Sequence, residues 1–284
     1  MKSTSKMKSE KIIGLIAGGG RLPILVAQGA QQAGYRVICT GLGDNPEPQL
    51  AEIADFYAAV PIARPGAWIR KLKKNGATSA IMAGKVRKEK LFTPWRILRY
   101  LPDWRAFRIY YWRLRKKNKT DQTILQAIAD ELASGGIILQ DSTKFCGEYL
   151  ADKGVMTKIG PSGDIQEDIE FGWEIVKKIS QTGIGQAIAV REKTVIAVEA
   201  VEGTEKMIER AGQFCKKGGW TLLKASKPDQ DWRFDVPCAG PETIKSLNAN
   251  GGKCLVVEAG RTIIIDKPQT IALANQLGIA VVGL

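Results

Sequence analysis

Residues 224–240, KASKPDQDWRFDVPCAG, gather three cations and three acids into a stretch too rich in proline for an ordinary strand or helix. Lys224, Lys227 and Arg233 could neutralise an anion, while Asp229, Asp231 and Asp235 could hold a divalent cation or position a water. A solvated surface loop also carries such charge runs, and composition does not separate the two. The flanks point further. Residues 220–223 read as a buried strand leading in, and VPCAGPETIKSL leads out through a Pro/Gly turn into a helix. The loop is therefore expected at a strand end, where α/β folds bind their ligands.

Composition narrows what such a loop can do. The 284-residue chain has no histidine, which removes Ser-His and Cys-His catalysis, His-ligated zinc and His/Asp bimetal sites. Hydrolysis would rest on carboxylates, lysines and oxygen-ligated Mg²⁺ or Mn²⁺. With 44% hydrophobic and 25% charged residues the chain has an ordinary globular composition. Its five scattered cysteines form no CxxC pair, so neither a disulfide framework nor a thiolate metal site is expected, and a reducing cytoplasm fits. The basic start MKSTSKMKSEK precedes only IIGLIA before a glycine triplet, which reads as a strand rather than a signal segment. No window approaches the roughly 18–20 apolar residues of a spanning helix, so the chain could touch a membrane but is not expected to cross one.

The elements that position these residues read as α/β throughout. Residues 12–17 read as a buried parallel strand, 18–20 as a tight loop, 22–33 as a helix and 35–40 as a second strand, the opening of a doubly wound sheet. A helix at 68–74 and a strand at 80–83 follow, the strand ending in AGKVRKEK, again glycine plus cations. The glycines of GLIAGGGRLP either let a phosphate approach the backbone beside a helix N-terminus or make a tight turn. The loop is not GxGxxG and lacks the Lys-Ser/Thr of a P-loop. Thr40, Gly41 and Leu42 stand where a dinucleotide dehydrogenase places its ribose-binding acid, which argues against hydride transfer.

Residues 120–133 read as an amphipathic helix with Asp121 in its first turn, and 137–139 as a strand. The polar, Gly-rich DKGVMTKIGPSGD then marks a boundary, giving domains 10–155 and 156–284. The second alternates helix 165–179, strands 187–190 and 195–199 about Glu192 and Lys193, helix 204–215, strand 220–223 and helix 242–247. A hairpin-like strand pair at 254–257 and 262–265, helix 268–277 and strand 279–282 complete it. In AVEAVEGTEKM, Glu199 closes a strand while Gly203 and Thr204 open a helix. Thr204 could cap that helix or, with nearby amides, face the same anion as Lys224 and Lys227. Gln186, at the end of TGIGQ, is a further candidate.

Segment 85–119 holds thirteen Lys/Arg against two acids, so eleven of the chain's thirteen net positive charges are local to it. Trp95, Tyr100, Trp104, Phe107, Tyr110, Tyr111 and Trp112 interleave with the cations. This mixture suits an anionic membrane interface, a phosphodiester backbone, or a basic helical hairpin with its rings packed inward.

Taken in order, IGLIAGGGRLP, IMAGKV, DIEFGW followed by GIGQ, IAVEAVEGTEKMIERAG, KASKPDQDWRFDVPCAG and the closing VVEAGRTIIID resemble the LpxI family of UDP-2,3-diacylglucosamine pyrophosphatases over nearly the whole chain. The resemblance implies two domains, an N-terminal Rossmann-like parallel sheet and a C-terminal mixed α/β domain, with the ligand in the cleft between them. It implies Mg²⁺-dependent (or Mn²⁺-dependent) hydrolysis of UDP-2,3-diacylglucosamine to UMP and 2,3-diacylglucosamine 1-phosphate (lipid X), a step in lipid A synthesis, with attack at the β-phosphorus. Asp235 falls on the family's essential aspartate in an RxDxP context, as metal ligand or general base. Asp121 is the second expected metal ligand; it is followed by Gln122 where the family usually has an acidic pair.

On the same reading Lys224 and Lys227 offset charge on the diphosphate. Gly19, Gly20, Arg21 and Leu22 hold uridine or phosphate, with Gly84, Lys85 and Val86 on the adjacent strand end. Gln186, Gly203 and Thr204 complete the substrate contacts. The expected partners are the lipid-linked UDP-sugar and, peripherally, the inner-membrane surface on its cytoplasmic side, with no nucleic acid; a homo-oligomer is left open. The alternative class is a nucleotide- or RNA-binding protein without hydrolysis.

Overall fold

The computed structural model describes residues 10–43, 47–85, 101–115, 120–234 and 236–284. They form two compact units: the chain to Cys146 with a short segment beginning at Trp232, and Gly147–Asp231 with the chain from Val236 onward.

In the first unit, β1 (Lys11–Ala17), β2 (Tyr35–Leu42), β3 (Phe56–Val60), β4 (Ser79–Ala83) and β5 (Ile138–Leu139) form an all-parallel sheet ordered β3-β2-β1-β4-β5. The five consecutive buried residues 13–17 of β1 are what a parallel strand covered on both faces requires. Among the described residues its helices are α1 (Leu22–Gln32), α2 (Pro48–Ile53), α3 (Pro65–Lys74), α4 (Trp104–Arg108) and α5 (Asp121–Ser134). A proline stands at the first or second residue of each of α1, α2 and α3, where its missing N–H would be unsatisfied in any case. Trp68, Ile69 and Leu72 of α3 and Ala129 and Leu132 of α5 share a core cluster with β-strand residues and with Phe234 of the returning segment. The strand order makes β1 and β4 neighbours whose connections leave in opposite directions, the switch point of a doubly wound sheet. The sequence reading had no counterpart for α2 and β3, because a six-residue helix and a mostly half-buried strand carry little periodicity.

The second unit contains β6 (Gly154–Val155), β7 (Ala187–Arg191), β8 (Thr194–Val198), β9 (Trp220–Lys224), β10 (Cys238–Ala239), β11 (Gly252–Val257), β12 (Ile263–Ile264) and β13 (Ala280–Gly283). Six of them form a sheet ordered β6-β13-β11-β9-β7-β8, parallel across β13, β11 and β9 and antiparallel in the pairs β9–β7, β7–β8 and β13–β6. Helix α6 (Gly163–Thr182) covers one face with Ile169 and Val176, packed with Leu223 and Val256. Helices α7 (Thr204–Phe214), α8 (Pro241–Ala249) and α9 (Lys267–Gln276) cover the other, packed with Trp220, Leu222 and Leu255. Alternate residues of β9 and β11 thus serve opposite cores. The β7–β8 hairpin turns at Glu192 and Lys193, both with positive φ, and Asp168 accepts their amides at 3.2 and 2.7 Å.

The hairpin expected between 254–257 and 262–265 is absent. β11 pairs with β9 and β13, whereas β12 pairs with β10 in a separate two-stranded parallel sheet. Both stretches are apolar enough to be buried on both faces, and the residues between them tie to the loop after β9 instead of closing a tight turn.

Of the basic segment, residues 86–100 and 116–119 lie outside the described residues. In the described part, α4 runs into a π-helical turn, Ile109–Arg113, and the rings are not packed inward. Trp104, Phe107, Tyr110, Tyr111 and Trp112 are exposed, while Arg105, Arg108 and Arg113 turn in to the buried carboxylate of Glu131 on α5.

Candidate functional site

Strand β9 is buried along its whole length, so its last residue, Lys224, carries an ammonium into the protein at the carboxyl end of a central strand. The residue is 5% exposed. Its Nζ donates to Thr204 Oγ1 at 3.2 Å and to the Cys238 carbonyl at 2.9 Å. The Thr204 hydroxyl donates in turn to Glu199 Oε1 at 2.6 Å, and Glu199 Oε2 accepts the backbone N–H of Gln186 at 3.2 Å. Glu199 is 6% exposed. A buried ammonium and a buried carboxylate are thus linked through one hydroxyl and supplied with further partners, as buried charges require.

The topology explains the convergence. Gln186 precedes β7 and Glu199 follows β8, and the antiparallel pairing of these strands brings their outer ends together, with the Glu199 N–H donating to the Ala187 carbonyl at 2.9 Å. Thr204 does not cap its helix. Gly203, at φ +84°, is the N-cap residue, and Thr204 is the first helical residue with its hydroxyl turned to Glu199.

The loop after Lys224 is pinned by residues 258–261. Ser226 N–H donates to Glu258 Oε2 at 2.8 Å, Arg261 Nη1 donates to Glu258 Oε1 at 3.1 Å, and Arg261 Nη2 donates to the carbonyls of Lys227 and Pro228 at 3.2 Å each. The Lys227 side chain is half-buried, and its ammonium has no hydrogen-bond or ion-pair partner among the described residues. Asp229 is exposed to solvent. Residues 232–234 belong to the first unit. Ser142 N–H donates to the Trp232 carbonyl at 2.8 Å, its hydroxyl lies 2.8 Å from the Met82 carbonyl and 3.1 Å from that of Arg233, and Arg233 Nη2 donates to Gln126 Oε1 at 2.7 Å. The residues leading to Asp235 are therefore held at the end of β4 and on α5. Asp235, Val86 and the side chain of Asp121 lie outside the described residues. Among the described residues no cluster of three His, Cys, Asp or Glu is arranged to hold a metal.

At the switch point of the first unit, Gly19, Gly20, Arg21, Leu22, Gly84 and Lys85 come together. Gly18 N–H donates to the Ala83 carbonyl at 2.8 Å, and Gly19 and Lys85 exchange both backbone hydrogen bonds at 2.9 Å. The amide of Gly20 donates to Glu47 Oε1 at 2.9 Å, so a carboxylate oxygen occupies the donor a phosphate oxygen would use. Gly84 requires glycine twice over, through φ +93° and because a Cβ would lie 2.8 Å from the Gly19 carbonyl oxygen. Gly20 requires it through φ +97° alone. Gly19 has neither constraint, since a Cβ there would meet nothing closer than the Lys85 carbonyl at 3.7 Å. At the end of β2, the Tyr57 hydroxyl is buried beside Gly41 with no partner among the described residues, and burial, then the Cys39 charge, raises its pKa.

The sequence reading noticed Glu199 without giving it a role and missed Glu47 and Tyr57. The signal for Glu199 was a carboxylate directly after the apolar run TVIAV; Glu47, between two prolines, carries none.

Family models for the LpxI N-terminal domain and the LpxI C-terminal domain match residues 12–149 and 152–282 respectively. The chain is also 30% identical over 281 residues to the UDP-2,3-diacylglucosamine pyrophosphatase LpxI of Caulobacter vibrioides, an alignment covering 96% of this chain and 97% of that protein.

Proposed function

Because the chain belongs to the LpxI family along nearly its whole length, we propose that it hydrolyses the diphosphate of UDP-2,3-diacylglucosamine to UMP and 2,3-diacylglucosamine 1-phosphate, in lipid A synthesis. The observation that carries this reading is the in-order match of both domains, joined to a relative whose name states that activity. The buried Lys224 ammonium suits the chemistry.

The water oxygen bonds to the β-phosphorus while the bond from that phosphorus to the bridging oxygen breaks. UMP leaves with the bridging oxygen and the water proton passes to a base; Asp235 serves either as that base or as a metal ligand. Negative charge grows on the equatorial and bridging oxygens as this happens. A fixed ammonium in a dry site can offset that charge by roughly 3–4 kcal/mol, because it needs no reorganisation at the moment of reaction. Thr204 and the Cys238 carbonyl hold Lys224 in that way, and Lys227 supplies a second cation. The Gly20 amide and Arg21 bind uridine or a phosphate oxygen in exchange for Glu47.

A chain without histidine offers a metal mainly oxygen donors, and Mg²⁺ needs only one or two carboxylates when a diphosphate and water fill its other positions. Mg²⁺ or Mn²⁺ therefore fits this donor set, and Asp235 with Asp121 would hold it. When bound, the ion neutralises diphosphate oxygens and lowers the pKa of the attacking water.

Hydrolysis in ¹⁸O-water tests the bond cleaved. The label is expected in the sugar 1-phosphate and not in UMP; label in UMP would mean attack at the α-phosphorus, and no product at all would remove the hydrolase reading.

A further inference from the structure

The outward position of Trp112 on the aromatic face of the first unit arises from a helical register change. Arg105 and Arg108 lie on one side of α4, and a continuing α-helix would bring Trp112 next onto that side, seven residues after Arg105. The π-helical turn Ile109–Arg113 adds a residue, so Arg113 takes the inward position and Trp112 faces out.

The inward side is closed by charge. Arg105 Nη1 meets Glu131 Oε1 at 2.6 Å, and Arg108 Nη2 and Arg113 Nε meet Oε2 at 2.8 and 3.2 Å, on a carboxylate with no solvent exposure. The Ser134 hydroxyl accepts from Arg105 at 3.3 Å and Arg108 at 2.9 Å. The outward side is apolar and exposed. Trp104 is 66% and Trp112 68% exposed, with Phe107, Tyr110, Tyr111 and Leu101 also open to solvent. Trp104 stacks on Phe107 at 5.3 Å and Phe107 on Tyr111 at 4.3 Å, which makes the rings one connected patch. Exposed Arg64, whose Nε donates to the Leu101 carbonyl, and exposed Arg115 adjoin it. Connected apolar surface of this kind marks an interaction site.

We infer that the Trp104–Phe107–Tyr111–Trp112 face docks on the surface of an anionic lipid bilayer. Three observations select this occupant. Even without Arg105, Arg108 and Arg113, which turn in to Glu131, the segment 85–119 holds ten cations against two acids in its sequence, which complements an anionic surface. Trp104, Phe107 and Tyr111 stack on one another, and three of the neighbouring cations, Arg105, Arg108 and Arg113, are committed to Glu131, whereas a single-stranded nucleic acid is held by bases stacked on ring faces beside available cations. Among the described residues no helix is long and apolar enough to cross a membrane, so the docking is contact at the interface and not insertion across it. The inference uses the diacyl nature of the proposed substrate only to favour a bilayer over a protein partner.

The test is flotation of the full chain, without substrate, on vesicles of phosphatidylcholine alone and of phosphatidylcholine mixed with phosphatidylglycerol. The wild type is expected to float with the anionic vesicles, with binding weakened but not abolished by salt. The variant Trp104→Ser/Trp112→Ser, altered only at exposed positions, is expected to lose at least about tenfold in partitioning while keeping its melting temperature and its turnover of detergent-dispersed substrate. No flotation, or flotation the variant does not weaken, would overturn the inference. So would a variant that instead loses self-association in light scattering, or affinity for an oligonucleotide. Vesicle binding is read independently of hydrolysis, so failure of the proposed reaction and failure of the docking surface are separate results.

Discussion

Replacing Thr204 by valine removes one hydroxyl and almost nothing else, so it measures the link between Lys224 and Glu199. The hydroxyl makes two charge-assisted hydrogen bonds, donating to Glu199 at 2.6 Å and accepting from Lys224 at 3.2 Å. Each is of a type with a net contribution of about 1.5–3 kcal/mol. The loss is smaller than their sum because Glu199 keeps the Gln186 amide and Lys224 keeps the Cys238 carbonyl. A destabilisation of about 2–3 kcal/mol is expected, a fall in melting temperature of roughly 5–12 °C for a unit of this size. Thr204→Ser retains the hydroxyl and loses one methyl group, at a cost below about 1 kcal/mol. Turnover should follow the same order: the valine variant loses about ten- to a hundredfold in kcat, equivalent to about 1.4–2.7 kcal/mol, and serine restores most of it. Thermal melts and UMP release on the three proteins provide the readout. Equal stability and turnover in the valine and serine variants would show that the hydroxyl positions nothing.

Glu131→Gln leaves three arginines, each about a third exposed, without their carboxylate, and should destabilise by about 2–4 kcal/mol in urea titrations at pH 7. Burial alone would raise the Glu131 pKa, but hydrogen bonds from Arg108, Arg113 and Arg105 outweigh it and hold the carboxyl below its ordinary 4.5. A lowered folded-state pKa means stability present above about pH 4.5 and lost as pH falls through the folded value, so the gap between wild type and Glu131→Gln should shrink below that pH. Tyr57→Phe removes a buried hydroxyl that has no described partner, and should raise stability by up to about 1 kcal/mol; a fall in stability would reveal a partner. Gly20→Ala forces alanine to φ +97° and should cost about 1–3 kcal/mol in thermal stability, whereas Gly19→Ala should leave folding unchanged and weaken UMP binding in calorimetry.

The legible parts of the fold were those whose local pattern matched their final environment. The apolar run 13–17, the glycine turn and the helix with Pro23 in its first turn announced a doubly wound sheet because β1 is buried on both faces. Lys224 was legible as a cation at the end of the apolar run WTLL. Glu199, linked to it through Thr204, was not, because the convergence of 186 and 199 depends on the register of β7 against β8 and β9, which no local pattern encodes. Strands β10 and β12 have two residues each, below what a period of two can reveal, so the apolar 262–265 was matched with its nearest neighbour in sequence. For the basic segment the pattern left open whether its rings pack inward or face out; one buried glutamate that draws in Arg105, Arg108 and Arg113, and a π-helical turn that puts Trp112 outward, decide it for residues 104–113, and no local pattern shows either.

UMP release from UDP-2,3-diacylglucosamine, compared between the wild type and Asp235→Ala, each with Mg²⁺ and with EDTA, bears most directly on the proposed reaction. Metal-dependent release by the wild type is expected, lowered roughly 10²–10⁴-fold in the variant. Undiminished release by Asp235→Ala would contradict the role given to that aspartate, and no release from the wild type under either condition would contradict the hydrolase itself.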